Sequence, residues 1–410
     1  MTKLNAQQQA FVDSDACFIS LSAGPGTGKS TALTRRIQQD SELPTSGRMV
    51  CITFTEAGAE SLKSKLADLG VQPWFVGTIH AYALSMLKTF GGVLGYRTEI
   101  EVVDDDRVLF MVRELLVSAG LKKAKPADVM KILASPSPAP GVLKTIAQRV
   151  IGQMRTKSIA TFDTILSEFS LIITQVPPID WLYMDEAQDF SEMDWKIIFG
   201  LCAKRMIAVG DEDQCIYEWR DASPRRLLEF RGEQMQLTHN YRSTASVIHT
   251  ANKLISHNKL RRAKEIIGAR GVVGNPPQLM MHHDGMGLVG LAHNIVRSTL
   301  TGSVAVLCRY NKSWGGLITP DIVTRELSSV AGSMGSRKDS EENPNTALHI
   351  GTIHSAKGLE YDTVFLIDWT PKEITEEERR LFYVGMTRAK NNLIIWSKEP
   401  SQFCKEAGLV

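Results

Sequence analysis

The stretch AGPGTGKST at residues 23–31 constrains this chain more than any other. It follows a short apolar run, CFISLS, and leads into KSTALTRRIQQ, which contains no helix breaker. Strand, glycine turn and helix in that order make a P-loop, whose N–H groups cradle phosphates at a helix N-terminus. Gly24, Gly26 and Gly28 permit the tight turn, with Pro25, Thr27 and Thr31 completing the loop and Ala23 standing where the pattern asks for its first glycine. Lys29 has the reach for the terminal phosphates, and Ser30 carries a hydroxyl suited to Mg2+. ATP or GTP is the expected ligand.

Such a loop needs a parallel sheet, and the following residues supply one. RMVCITF (48–54) is a buried-strand candidate followed by EAGAESLKSKLADLG, a helix closed by Gly70. Repeated strand–helix order implies a parallel sheet with ligands at the carboxyl ends of its strands. Residues 104–174 change character: DDDRVLFMVRELLVSAG, the loop SPSPAP and two further helical stretches read as a helical insertion. Strands return at IDWLYMDE (179–186) and RMIAVGDE (205–212), and a second set follows with SVAVLC (303–308) and DTVFLID (362–368). The expected fold class is α/β, two lobes with parallel sheets plus a small helical insertion in the first. The expected boundaries are a first lobe over 1–90 and 178–235, an insertion over 91–177 and a second lobe over 236–410. The polar segment AGSMGSRKDSEENPN (331–345) suits a mobile surface loop.

A P-loop needs a second magnesium contact at the end of a neighbouring strand, and WLYMDEAQD offers Asp185 there. Glu186, next to it, is placed to orient or deprotonate an attacking water, which favours hydrolysis over mere binding. Charge developing on a γ-phosphate calls for further cations, and Arg242 in NYRST and Arg388 in YVGMTRAK are the candidates.

Composition excludes little. With 43% hydrophobic and 22% charged residues in 410, this is ordinary globular sequence, long enough for two or three domains. No apolar run could span a bilayer, and MTKLNAQQQA lacks the features of a secretory signal, so the expectation is a mature cytoplasmic chain without a membrane partner. A net charge of +2 does not announce nucleic acid. The six cysteines are far apart, with no CxxC pair, and read as reduced, mostly buried thiols.

The order of motifs resembles superfamily 1 DNA helicases of the UvrD/Rep/PcrA type. LNAQQ, AGPGTGKS, ITFTEAGA, GTIH, MDEAQD, VGDEDQCIYEWRDA, LTHNYRST, GTIHSAKGLEYD and ERRLFYVGMTRAK occur in the family's order over nearly the whole chain. The resemblance implies two RecA-like lobes that open and close around ATP, with Gln8 reading adenine, Tyr241 stacking on it and Glu360 contacting the ribose. It implies that Gln214 senses the γ-phosphate and that Arg242 and Arg388 act as arginine fingers. Single-stranded DNA would cross both lobes, touched by Phe54, Thr55, Thr78, His80, Trp219, Arg220, Thr352 and His354. The implied activity is ATP-dependent 3′ to 5′ translocation with unwinding of tailed duplex, in DNA repair, replication or recombination. A loader or a repair or replication protein is the implied partner.

Gln214 and Trp219 lie five residues apart, at most about 18 Å even fully extended, so one short segment could touch both nucleotide and DNA. A tryptophan buried between the lobes is the alternative reading of Trp219. Three departures from the family matter. Glu56 and Ala57 stand where asparagine and lysine are frequent, and Cys215 replaces a common serine. Only 41 residues lie between Arg309 and Gly351, where larger members carry an accessory domain. These departures keep a second function in view, an ATP-controlled nucleic-acid-binding switch or remodeller with little unwinding. A fused nuclease is not expected after the last motif. A plain P-loop kinase would leave the arginine and aromatic motifs of the second lobe unexplained.

Overall fold

Apolar runs bounded by turn residues fold as strands buried on both faces when helices cover the sheet. The computed structural model describes residues 3–43, 47–134, 141–281, 290–292, 294–295, 298, 302–311, 318–331 and 348–410. The SPSPAP segment and residues 332–345 of the expected surface loop lie outside these. In chain order the described strands are β1 (Phe18–Ala23), β2 (Met49–Thr53), β3 (Phe75–Thr78), β4 (Glu101–Val102), β5 (Ile159–Ala160), β6 (Trp181–Met184), β7 (Arg205–Gly210), β8 (Glu233–Leu237), β9 (His239–Asn240), β10 (Ile267–Gly268), β11 (Gln278–Met281), β12 (Val304–Cys308), β13 (Leu348–Thr352), β14 (Tyr361–Ile367) and β15 (Ala389–Ser397).

They form a six-stranded sheet in the order β3-β2-β6-β7-β1-β8 and a five-stranded sheet in the order β11-β15-β14-β12-β13. The pairings β2–β3, β2–β6, β6–β7 and β1–β8 are parallel. So are all four pairings of the second sheet. The fold class is therefore α/β with two parallel-sheet lobes of the tandem RecA-like kind, plus helical insertions. Grouped by proximity, the chain makes two compact units, one of Met1–Ser14, Ile19–Leu33 and Val209–Val410, the other of Asp15–Phe18 and Thr34–Ala208.

In the first unit, alternation along the second sheet sends neighbouring residues into two cores. Ala305, Leu307, Val364, Leu366, Leu393 and Ile395 face one, where Val247, Ala251 and Leu254 of helix Ala245–Ile255 and Leu381 and Val384 of helix Glu376–Met386 pack. Val304, Val306, Phe365 and Trp396 face the other, against Val323 and Leu327 of helix Pro320–Ala331. Burial on both faces explains why these strands read as unbroken apolar runs.

The second unit holds the helical insertion. Helix Asp105–Ser118 starts at Asp104, whose side chain accepts from the Arg107 N–H at 3.0 Å. Val108, Met111, Val112 and Leu116 repeat at helical spacing and are buried with Val129 and Leu133 of Pro126–Ala134 and with Ile146, Val150 and Met154 of Val142–Lys157. In the same unit Asp40 is buried between Arg36 at 2.6 Å and the Tyr183 hydroxyl at 2.8 Å. Burial pushes its carboxyl up despite these partners. Of the cysteines, all free, Cys51, Cys215, Cys308 and Cys404 are buried while Cys17 and Cys202 are exposed. Burial pushes the Cys308 thiol up to about 12, which keeps it inert.

The core of the first unit also contains a charge cluster. Lys264, fully buried, lies 2.7 Å from Asp211, 2.9 Å from Glu212 and 3.5 Å from Asp213, all fully buried. Its ammonium also donates to the Ser22 hydroxyl at 2.8 Å, and Arg261 pairs with Asp213 at 2.7 Å. Burial alone would raise Glu212, but Lys264 and the Ser22 hydroxyl outweigh it and hold Glu212 at about 2. Asp211 is raised, because burial and the adjacent carboxylates exceed the pull of Lys264.

Breaking such a pair from one side leaves uncompensated buried charge, at a cost of about 3–5 kcal/mol. Lys264→Met is expected to lose about that much in urea unfolding at pH 8. Without the ammonium, which pulls both down, the folded-state pKa values of Asp211 and Glu212 rise above their unfolded values, so protonation favours the folded variant. The deficit against wild type should therefore shrink between pH 8 and pH 5; a deficit that stays constant would show that the carboxylates do not rely on Lys264.

Candidate nucleotide and nucleic-acid site

The P-loop leaves the carboxyl end of β1, where Ala23 pairs with Leu237, and helix Lys29–Ser41 begins at its last residues. Gly26 and Gly28 have φ of +63° and +77°, which L side chains rarely adopt. Neither has room for one. A Cβ on Gly26 would come within 2.5 Å of the Arg242 Cβ, and one on Gly28 within 2.4 Å of the Gln8 amide nitrogen. The loop is thus a P-loop in geometry as well as sequence, with a helix N-terminus behind it, and it fits a nucleotide's phosphates.

Gln8, Tyr241 and Arg242 are brought to this loop. Gln8 is buried at 5% exposure and donates from its amide to the Thr27 carbonyl at 3.0 Å. Its helix, Ala6–Asp13, starts with a capping box in which Asn5 accepts from the Gln8 N–H and Gln8 accepts from the Asn5 N–H. Asn5 also donates to the Tyr241 hydroxyl at 2.7 Å, and the Tyr241 N–H donates to the Gly26 carbonyl at 2.9 Å. Arg242 donates to Glu360 at 2.6 Å, so the ribose candidate and one finger candidate are an ion pair in this structure.

The residue organising this corner, Asn240, is one the sequence reading does not name. Fully buried, it donates to the Pro25 carbonyl at 2.5 Å and accepts from the N–H groups of Arg242 at 3.0 Å and Ser243 at 2.8 Å. Asparagine's habit of bonding nearby backbone is the one signal that pointed to it.

The acidic turn connects these groups to an aromatic one. The Gln214 amide donates to Asp211 at 2.6 Å, and its oxygen accepts from Arg388 at 2.9 Å. Arg388, buried, also donates to the carbonyls of Val384 at 3.1 Å and Leu359 at 3.2 Å. Five residues past Gln214, Trp219 is 69% exposed, which removes the buried-tryptophan alternative. The Arg220 guanidinium lies 5.8 Å from the Trp219 ring. Tyr217 stands 6.3 Å from Trp219 and 5.8 Å from His354, ring to ring, so two of the expected DNA contacts gather around it. Thr352, at the end of β13, accepts from the Ser355 N–H at 3.2 Å. Burial lowers His354, with Arg309 and Lys357 adding to the effect against the pull of the Ile216 carbonyl 3.1 Å away. The ring nitrogen donates to that carbonyl, which can only accept.

In the second unit, the remaining candidates leave the carboxyl ends of three adjacent strands. Thr53 pairs with Thr78 and Ile52 with Met184, which puts Phe54–Thr55, Thr78–His80 and Asp185–Glu186 along one sheet edge. Thr55 and Thr78 are N-caps, accepting from Gly58 at 3.0 Å and Ala81 at 3.2 Å, so both open helices whose N-termini suit phosphate. Glu56 occupies the first turn of one of them and competes for that positive end. Glu186 has φ of +54°, a strained backbone for a non-glycine residue and of a kind concentrated at functional sites. Its carboxylate accepts from Gln188 at 2.7 Å. His80 stacks at 3.7 Å on Phe162, which is 49% exposed and absent from the sequence-derived set.

The pattern of the family described as "AAA domain" matches residues 7–220, more than half the chain. That of the "UvrD-like helicase C-terminal domain" matches residues 323–399. The "ATP-dependent DNA helicase PcrA" of Staphylococcus epidermidis is 24% identical over 299 residues, 64% of this chain and 41% of that protein. Its namesake in Leuconostoc citreum is 24% identical over 304 residues, 64% of this chain and 40% of that protein. That of Staphylococcus aureus is 23% identical over 301 residues, with 64% and 41% covered. The matched part thus spans about two fifths of the length of these curated relatives. With its P-loop ATP-binding motif in the AAA-domain match and its UvrD-like C-terminal match, the chain belongs to the UvrD/PcrA-like family of superfamily 1 helicases.

Proposed function

We propose that the protein is an ATP-driven motor that translocates 3′ to 5′ on single-stranded DNA and unwinds tailed duplex. The observation that carries this is the segment from Gln214 to Trp219. At one end Gln214 is hydrogen-bonded to Arg388, and at the other an exposed indole stands beside Arg220. A nucleotide-sensing group and a base-stacking platform on one short turn suit a protein that converts hydrolysis into movement along a strand. Curated relatives named as ATP-dependent DNA helicases support the same substrate class.

In this mechanism the P-loop N–H groups and Lys29 hold the β- and γ-phosphates, Gln8 and Tyr241 bind the adenine, and Glu360 the ribose. Ser30 and Asp185 are the proposed magnesium ligands, and the ion would neutralise charge on the phosphate oxygens. Glu186 orients and deprotonates the water. Arg242 and Arg388 stabilise charge developing on the γ-phosphoryl group, which requires them to exchange their present partners, Glu360 and Gln214, for phosphate oxygens. Trp219 holds a base, with Arg220, Thr352, His354, Phe54, Thr55, Thr78 and His80 as the further DNA contacts. DNA repair or replication is the proposed setting.

Two substitutions test the reading. Lys29→Ala is expected to lower kcat for ATP hydrolysis by about 10²-fold or more and to abolish strand displacement on a 3′-tailed duplex. Retained unwinding would contradict the mechanism. Trp219→Ala is expected to cost about 1–3 kcal/mol in single-stranded DNA binding at fixed salt and to reduce DNA-stimulated hydrolysis more than basal hydrolysis. Equal loss in both would remove Trp219 from the coupling. DNA-stimulated hydrolysis without displaced strand in the wild type would favour the ATP-controlled switch over the helicase.

A further inference from the structure

Helix Glu376–Met386 holds the coupling segment at both ends. Just beyond its C-terminus, Arg388 donates to Gln214 at 2.9 Å. In its first turn, the Glu377 carboxylate accepts from the Glu218 N–H at 3.1 Å. One turn on, Arg380 pairs with the Glu218 carboxylate at 2.8 Å and with Glu376 at 3.0 Å, and donates to the Leu260 carbonyl at 3.2 Å. Arg380 is only 1% exposed, so its charge depends on these carboxylates. Glu218 immediately precedes Trp219.

The two grips match in scale. Eleven helical residues rise about 16 Å, and the five-residue step from Gln214 to Trp219 spans at most about 18 Å. Leu381, Phe382 and Val384 pack this helix into the core of the second sheet, an arrangement suited to shifting as a body. A shift of Arg388 toward a phosphate therefore carries Glu377 and Arg380, and with them the backbone just before Trp219.

The geometry points to Arg380 and Glu218 as positioning residues that transmit the nucleotide state at Arg388 to the base-stacking turn at Trp219. This deepens the proposed function and rests on it for the identity of the two ligands. A purely structural role for the ion pair is the competing account. Glu376→Gln separates the two, because it takes a carboxylate from Arg380 without touching residues 214–219.

The experiment compares wild type, Glu218→Gln and Glu376→Gln in two readouts. The first is ATP hydrolysis with and without oligo-dT. Glu218→Gln is expected to keep basal kcat and KM for ATP within about twofold while losing about fivefold or more of the DNA stimulation, the lower range of coupling between linked sites. Glu376→Gln is expected to keep that stimulation. Full stimulation in Glu218→Gln, or equal loss in both variants, overturns the inference. The second readout is hydrogen exchange of the 215–221 backbone on adding a non-hydrolysable ATP analogue without DNA. A nucleotide-dependent change present in wild type and lost in Glu218→Gln supports the inference; a change that persists in the variant, or is absent from wild type, overturns it. Absence of DNA stimulation in wild type would count against the helicase reading alone, because the exchange measurement still decides the link.

Discussion

The buried ammonium of Lys264 is the interaction on which the site's geometry depends. Three consecutive carboxylates, Asp211, Glu212 and Asp213, follow the end of β7 and are fully buried, an arrangement that self-repulsion would otherwise forbid. With the ammonium between them, the acidic turn can sit in the core, and Glu212 can accept from Ser22 of the strand that leads into the P-loop at 2.7 Å. Asp211 then has one oxygen for Lys264 and the other for the Gln214 amide, which fixes the direction of the Gln214 carbonyl oxygen toward Arg388. A single fixed charge thus sets the orientation of the proposed γ-phosphate sensor through one intervening carboxylate.

Much of the fold was legible because the strands that form it are short apolar runs with strong boundaries. The expected strands at 48–54, 205–212, 303–308 and 362–368 correspond to Met49–Thr53, Arg205–Gly210, Val304–Cys308 and Tyr361–Ile367. Strands without that signature are hard to read from sequence. In β15, AKNNLIIWS, the polar residues Lys390, Asn391 and Asn392 follow the buried Ala389 and are only half buried, and β8, EQMQL, is an edge strand largely exposed on its first residues. Helix Pro126–Ala134 is equally hard to see from its sequence, being only nine residues long.

The site was legible in its residue types but not in their supports. P-loop, carboxylates and arginines are chemically distinctive, whereas the Lys264 ammonium works only through partners distant in sequence and Asn240 reaches the P-loop through one. Lys264 lies 53 residues from Asp211, and Asn240 lies 215 from Pro25. A lysine between Ala263 and Glu265 reads as surface, since lysine is almost never fully buried unless paired. Only the fold reveals the pairing.

The state of Arg388 fits the proposal that sensing and movement share one segment. Its Nε and Nη1 are committed to main-chain carbonyls of Val384 and Leu359, which hold the guanidinium plane in place, while Nη2 reaches Gln214. A planar fork fixed in this way loses little further entropy when it meets a phosphate. The contact most exposed to competition is then the one to Gln214, because phosphate oxygens and the Gln214 oxygen call on the same face of the fork. Nucleotide binding at Arg388 would loosen Gln214 while Lys264 still holds Asp211, so the change is directed along residues 214–219 rather than into the acidic turn. Arg380 and Glu377 hold the far end of that same segment. Release of Gln214 at one end and a shift of the Arg388-bearing helix, passed on through Glu377 and Arg380 at the other, would then meet at the turn bearing Trp219.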